Sequence, residues 1–212
     1  MREALKALAR FAATLAVTPM LVSFMVRRRV LGPDRALEGS TQLLALVPGL
    51  VGQYLRRAFL MRVLDACDKG CTVEFGTVFS RIGARLGRNA YVGPACRLGL
   101  VDIGADAMLA PGVHVPSGGH THGSHDLSIP MRAQPGIVRH VQIGAGAWIG
   151  ANSVVMGDVG ANAIVGAGAV VTRSIPPNVT AAGVPARVIG HRNQRPHCHA
   201  HPVSDPSAAV RS

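Results

Sequence analysis

IGAGAWIGANSVVMGDVGANAIVGAGAVV, residues 143–171, decides the fold of this chain. Aliphatic side chains stand at Ile143, Ile149, Val155, Val159, Val165 and Val171, six residues apart except for one step of four after Val155. Four positions after an aliphatic residue comes a small side chain, as at Ala147, Ser153, Ala163 and Ala169. The same unit runs upstream through Leu86-Gly87, Val92-Gly93, Leu98-Gly99, Ile103-Gly104, Leu109 and Val115, with Ala90, Cys96, Ala107 and Val113 in the small position. Steps of five after Leu98 and seven before Leu86 interrupt it. An amphipathic helix repeats at 3.6 residues and a half-buried strand at 2, so neither produces this register. One bulky and one small inward position per six residues fits the side of a parallel β-helix with a turn in every unit. Roughly twelve units, three to a coil, predict about four coils whose stability sums over neighbours. Glycine and asparagine tolerate the positive φ of sharp corners, and Asn152 and Asn162 are expected there.

Composition agrees. Glycine contributes 25 of 212 residues and aromatic side chains only 4%, so the core is a narrow one of Val, Ile, Leu and Ala. The formal net charge of +11 predicts attraction to polyanions. The basic residues form no single run interleaved with aromatics, and no nucleic-acid partner is expected. Cys67, Cys71, Cys96 and Cys198 lack the paired spacing of a zinc ribbon or a disulfide framework, and read as reduced thiols of a cytoplasmic protein.

Between Val115 and Val141 the period vanishes. Here PSGGHTHGSHD, residues 116–126, leads through Arg132, Gln134 and Gly136 back to the repeat. A long insertion in a compact repeat is usually functional. It holds His120, His122 and His125, and an imidazole is suited to take a proton from a hydroxyl near neutral pH. Asp126 is a candidate to fix a ring tautomer. Zinc ligation by the three is the competing reading, but neighbours two apart on a loop converge poorly on one ion.

The first 70 residues differ in kind. Phe11–Val26 carries no charge over sixteen residues and lies between Arg10 and Arg27-Arg28-Arg29. That is short of the ~20 needed to span a bilayer, and Pro19 is expected to kink it. Three arginines follow and no small-residue cleavage site does, which argues against a secretory signal. A second apolar stretch, Leu43–Val51, runs into Tyr54-Leu55-Arg56-Arg57. Two short arginine-edged helices are expected, either resting on an anionic leaflet through residues 1–60 or packing on the main domain or between subunits.

The repeat, the looped-out GGHTH at 118–122, the run WIGANSVV from Trp148 and the closing GAGAVVTRSIPPNVTAAGVPARVIG at 166–190 resemble the hexapeptide-repeat acetyltransferases, in particular the galactoside and maltose O-acetyltransferases and related acyltransferases of polysaccharide biosynthesis. The resemblance covers residues 73–190. It implies a left-handed β-helix, a homotrimer with sites at subunit boundaries, and acetyl-CoA as acyl donor to a sugar or polysaccharide hydroxyl. It further implies His120 as general base, with His122 the second choice, and coenzyme contacts from Trp148, Ala151, Ala167, Thr172, Arg173 and Arg187. No metal is implied. The asparagine that sugar-acetylating members often carry near the acceptor has no evident counterpart around Cys96.

The expected organisation is a helical segment 1–70, a β-helix domain 71–190 with the loop 116–140, and a tail 191–212. The tail's His197, Cys198, His199 and His201 suit a disordered terminus better than a metal site. The expected location is cytoplasmic, at the inner face of the membrane if the helical segment touches lipid. Two other activities stay in view: a zinc hydratase like the γ-carbonic anhydrases, with His114 joining the loop histidines, and acetylation of an antibiotic or amino sugar.

Overall fold

The computed structural model of the protein describes residues 2–192, so the histidine-rich tail lies outside the described residues. The repeat folds as expected into a left-handed parallel β-helix. Its first face stacks Ala66–Cys67, Arg85–Leu86, Val101–Ile103 and Val141–Ile143, and single bridges at Val159 and Ile175 continue it. The second face runs from Thr72–Val73 through Trp148–Ile149 to Val179–Ala182. The third runs from Val78–Phe79 through His114–Val115 to Val170–Val171. The repeating aliphatic residue points inward in register with its equivalent one coil away, as in Val73↔Val92, Val92↔Leu109 and Ile149↔Val165. The residue before it points out.

About six coils form rather than four. The extra ones lie at the ends, where Cys67, Val73 and Phe79, and later Ile175 and Ala181, keep the inward register without the glycine that marks the central units. Asn152 and Asn162 take φ of 56°, the left-handed corner conformation expected of them. The glycine directly after the aliphatic residue has a different reason. A Cβ on Gly104 would lie 2.5 Å from the Ala145 nitrogen, and one on Gly144 would lie 2.3 Å from the Ala161 nitrogen. Glycine stands there because the next coil passes directly above.

The uneven steps share one location. Steps from first to second face and from second to third are all six residues, whereas those from third to first are seven (Phe79 to Leu86), five (Leu98 to Ile103), four (Val155 to Val159) and four (Val171 to Ile175). The loop after Val115 emerges from this same edge. Every irregularity of the repeat therefore maps to one edge of the prism.

Three helices close the open first coil. Helix α1 (Arg2–Leu31) runs unbroken through Pro19, α2 spans Pro33–Ala45 and α3 spans Gly49–Val63. This corrects the expectation of two short helices. Arginine is a good helix former, so Arg27–Arg29 prolongs α1 rather than ending it, and the stop is set by Gly32 at φ 85° followed by Pro33. As a result Lys6–Leu31 is long and apolar enough to cross a membrane, with a mean hydropathy of 1.6. One side of α1 is occupied, however. Ala13, Val17 and Phe24 are buried, and Phe24 meets Phe59 of α3 edge to face at 5.8 Å. The other side exposes Phe11, Leu15, Val22, Met25 and Val26.

Helices α2 and α3 satisfy the edge strands of the first coil, which would otherwise present unpaired backbone. The Thr41 hydroxyl donates to the Phe79 carbonyl and accepts from the Phe79 N–H. Arg56 is buried, with Nε donating to the Val73 carbonyl and one terminal nitrogen donating to the Leu44 and Val47 carbonyls that end α2. Burial pushes its pKa down, and Glu74 partly opposes that.

Candidate active site

The loop 116–140 leaves the irregular edge as a two-legged ribbon. The Ile137 N–H donates to the His120 carbonyl at 2.7 Å and the Arg139 N–H to the Ser117 carbonyl at 3.0 Å. At its root Ser117 takes φ 71° and its hydroxyl accepts the Leu100 N–H. Arg139 pins the return leg by an ion pair to Asp158 and a bond to the Met156 carbonyl. His140 ends the loop, with Nδ1 2.9 Å from Asp102, which also accepts from Gln142. Gln134 braces the tip from within, bonding the backbone of Asp126 and Ile129.

Asp126 does not orient a histidine. Its carboxylate accepts the Ser128 hydroxyl and N–H, which hold its pKa below the usual range, and so it serves a local turn.

At the foot of the outgoing leg lies a cavity of about 310 Å³. Its floor is the outer side of the third face, where Val78, Arg97 and His114 stack in register on successive coils. Glu38 of α2 closes one side, and Pro116, Ser117, Thr121 and His122 close the other. Arg81 also lines it but is paired with Asp34 at 2.7 Å. Arg97 and Glu38 form no side-chain hydrogen bond or ion pair among the described residues, which leaves one donor fork and one acceptor carboxylate for a ligand. Burial, and then the Arg97 charge, push the His114 pKa below its ordinary value.

Of the histidines expected to serve as base, His122 lines this cavity. His120 is exposed two residues earlier on the same leg, and His125 is exposed nearer the tip. Gly119, next to His120, approaches Met156, whose neighbour Gly157 packs beneath Arg173. The leg carrying His120 thus shares the irregular edge with Thr172 and Arg173. The other residues expected to contact coenzyme lie across the third face. Ala151 and Ala167 follow one another on successive coils at the edge between second and third faces, joined by the Gly168 N–H donating to the Ala151 carbonyl. Trp148 stands on the second face beside that edge, in register with Met108 and Ile164 and 46% exposed. Arg187 pairs with Ala182 in the antiparallel strand that ends the β-helix. One chain therefore presents these residues as two separate groups on the two edges of a single face.

Arg97 and Glu38 do not figure among the site residues expected from the sequence, and His114 figures only as a partner of the loop histidines in the zinc-hydratase alternative. A signal for placing Arg97 beside His114 existed: each directly precedes an inward aliphatic residue, so each faces outward, one coil apart. Glu38 comes from a helix, and nothing local marks it. His114 and His122 share the cavity, but among the described residues no three His, Cys, Asp or Glu side chains group closely enough to hold a metal ion.

Comparison with known proteins agrees with the repeat. The family model described as bacterial transferase hexapeptide (six repeats) matches residues 140–173. The galactoside O-acetyltransferase of Escherichia coli strain K12 is 33% identical over 173 residues, covering 77% of this chain and 82% of that protein. Among solved structures, a maltose O-acetyltransferase from Clostridium difficile 630 superposes with a TM-score of 0.63 at 26% identity, over 79% of this chain and 87% of the other. A galactoside acetyltransferase in complex with coenzyme A superposes with a TM-score of 0.61 at 27% identity, over 76% and 82%.

Proposed function

The chain belongs to the hexapeptide-repeat acetyltransferases, and from that premise we propose that it moves an acetyl group from acetyl-CoA to a hydroxyl of a sugar or polysaccharide precursor, with His120 as general base. The observation that carries the acceptor class is the cavity beside the loop. At about 310 Å³ it lies at the small end of ligand pockets, ~300–1,000 Å³. Its free lining groups differ in kind: the Arg97 guanidinium donates, the Glu38 carboxylate accepts, and the Thr121 hydroxyl does both. A polyhydroxylated ring offers the matching donors and acceptors.

In the reaction the imidazole removes the proton of the acceptor hydroxyl as its oxygen attacks the thioester carbonyl. The tetrahedral intermediate then expels the coenzyme thiolate, the carbon–sulfur bond breaks, and the thiolate takes up a proton. Acetyl passes directly between the two substrates. The two edge groups support a homotrimer. A groove between neighbouring chains sets the Trp148, Ala151, Ala167 and Arg187 edge of one chain against the Thr172 and Arg173 edge of the next. The small alanines leave room for the pantetheine arm, and the arginines serve its phosphates.

A second assignment of the base has its own observation: His122 lines the cavity in the isolated chain, and His120 does not. Turnover of His120→Ala and His122→Ala, read beside acetyl-CoA binding, separates the two. The proposal expects His120→Ala to lose at least about 100-fold in turnover with binding retained. Near-normal turnover of that variant, with loss in His122→Ala, moves the base by two residues.

The exposed apolar side of α1 and its flanking arginines support contact with the inner face of the cytoplasmic membrane. Because Ala13, Val17 and Phe24 are already packed on the protein, the helix lies along the surface rather than sheathed in lipid on all sides. Recovery of the full chain wholly in the soluble fraction without detergent contradicts this reading.

A further inference from the structure

Helices α1 and α3 border a cleft that shares no lining residue with the cavity beside the catalytic loop, and its two halves differ in chemistry. One half is an apolar groove of about 420 Å³, walled by Ala12 and Ala16 of α1 and by Leu50, Val51, Tyr54 and Leu55 of α3, among others. The other half is a small cavity of about 100 Å³ that collects four cations: Arg10, Arg57, Arg62 and Lys69. Tyr54 lines both halves, so they adjoin.

None of the four cations forms an ion pair with a carboxylate among the described residues. Arg57 lies over the Tyr54 ring at 4.7 Å and donates to the Cys71 carbonyl. Arg62 donates to the Ala58 carbonyl and the Thr14 hydroxyl. These partners hold the guanidinium groups in place without cancelling their charge. Asp68, the acid next to Lys69 in sequence, turns its Oδ1 to the Gly70 N–H and does not line the cavity. Four positive charges drawn together without a counter-charge repel one another, and an anion relieves that repulsion. A free phosphate would leave the adjoining groove bare, and an uncharged chain would leave the cations uncompensated. A ligand bearing both an anionic head and an alkyl chain satisfies both halves.

We propose that this cleft binds one anionic phospholipid, its phosphodiester among Arg10, Arg57, Arg62 and Lys69 and one acyl chain along the Ala12–Ala16 groove. This goes beyond membrane contact, which asks only for apolar surface against a leaflet and involves the opposite side of α1.

The test uses the full chain purified in detergent, incubated with phosphatidylglycerol or phosphatidylcholine, with bound lipid counted by native mass spectrometry. One phosphatidylglycerol per chain is expected, retained in preference to phosphatidylcholine. At about fivefold per cation, the double variant R10Q/K69Q weakens retention roughly 30-fold. Ala16→Phe fills the groove from an exposed position and abolishes retention with the melting temperature unchanged. Val22→Ser with Val26→Ser, on the outer side of α1, lowers pelleting with phosphatidylglycerol vesicles but leaves the lipid count at one. That pair of readouts separates the cleft from general membrane contact. Equal retention of the two lipids, or unaltered retention by R10Q/K69Q and Ala16→Phe, overturns the proposal. So does a lipid-free complex between copies of the chain that Ala16→Phe disrupts, which would give the cleft to a second copy, or capture of inorganic phosphate without any lipid.

Discussion

Gly144→Ala is a substitution that the stacking of coils makes costly for its size. The added methyl carbon would lie 2.3 Å from the Ala161 nitrogen and 2.6 Å from its Cα, both backbone atoms of the next coil. Ordinary contact begins near 3.4 Å, so the two coils must separate by about 1.1 Å there. That shift stretches the adjacent backbone bonds, including the 2.8 Å bond from the Gly144 N–H to the Val159 carbonyl. Overpacking of this kind costs about 1–3 kcal/mol where side chains can yield, and here backbone must yield, so a loss of ~3 kcal/mol or more is expected. Gly168→Ala is the matched control. Gly168 has φ 67° with nothing within 4 Å of an added Cβ, so only the left-handed conformation is penalised, at ~1–2 kcal/mol. The chain already tolerates an alanine in that conformation, Ala95 at φ 58°. Urea unfolding of the two variants beside the parent protein reads the difference directly. If Gly168→Ala costs as much as Gly144→Ala, the glycines of the repeat serve φ after all and the stacking account fails.

Two further perturbations test other parts of the structure. Arg56→Met strips hydrogen bonds from the carbonyls of Leu44, Val47 and Val73; at ~1–3 kcal/mol for each group left unsatisfied, the helical segment should loosen first, read as new cleavage between α2 and α3 in limited proteolysis, and an unchanged digest contradicts this. His114 carries a lowered pKa, so below its ordinary value, near 6.5, the unfolded chain takes up a proton before the folded one. Its contribution to stability is therefore constant above that pH and falls as pH drops toward the lowered value. His114→Asn should flatten the decline in urea midpoint over that window, and identical pH profiles refute it.

The sequence exposed the β-helix because each unit must repeat its inward residue at every coil, and a spatial repeat of that kind is written directly into the chain. The site was legible to the extent that it broke the rule: the loop at 116–140 and the uneven steps of seven, five and four all belong to one edge. The coils at the two ends were undercounted because Cys67 and Ile175 lack the following glycine. The length of α1 was misjudged for a physical reason, since charge ends an apolar stretch but does not end a helix. Glu38 was invisible for another. It reaches the cavity through the packing of α2 across the third face, held by Thr41 on Phe79 and by Asp34 on Arg81 and the Ile82 N–H, and no local pattern records a contact made over such distances.

The central claim is direct, acceptor-dependent acetyl transfer from acetyl-CoA. Its plainest test mixes the full-length protein with acetyl-CoA and a panel of glycans, follows release of the coenzyme thiol, and examines the glycans and the protein by mass spectrometry. The account predicts that thiol appears only when a hydroxyl-bearing acceptor is present, in step with one acetyl ester on that acceptor and none on the protein. Thiol release that ignores every acceptor, or acetyl found on the protein as an intermediate, would contradict it.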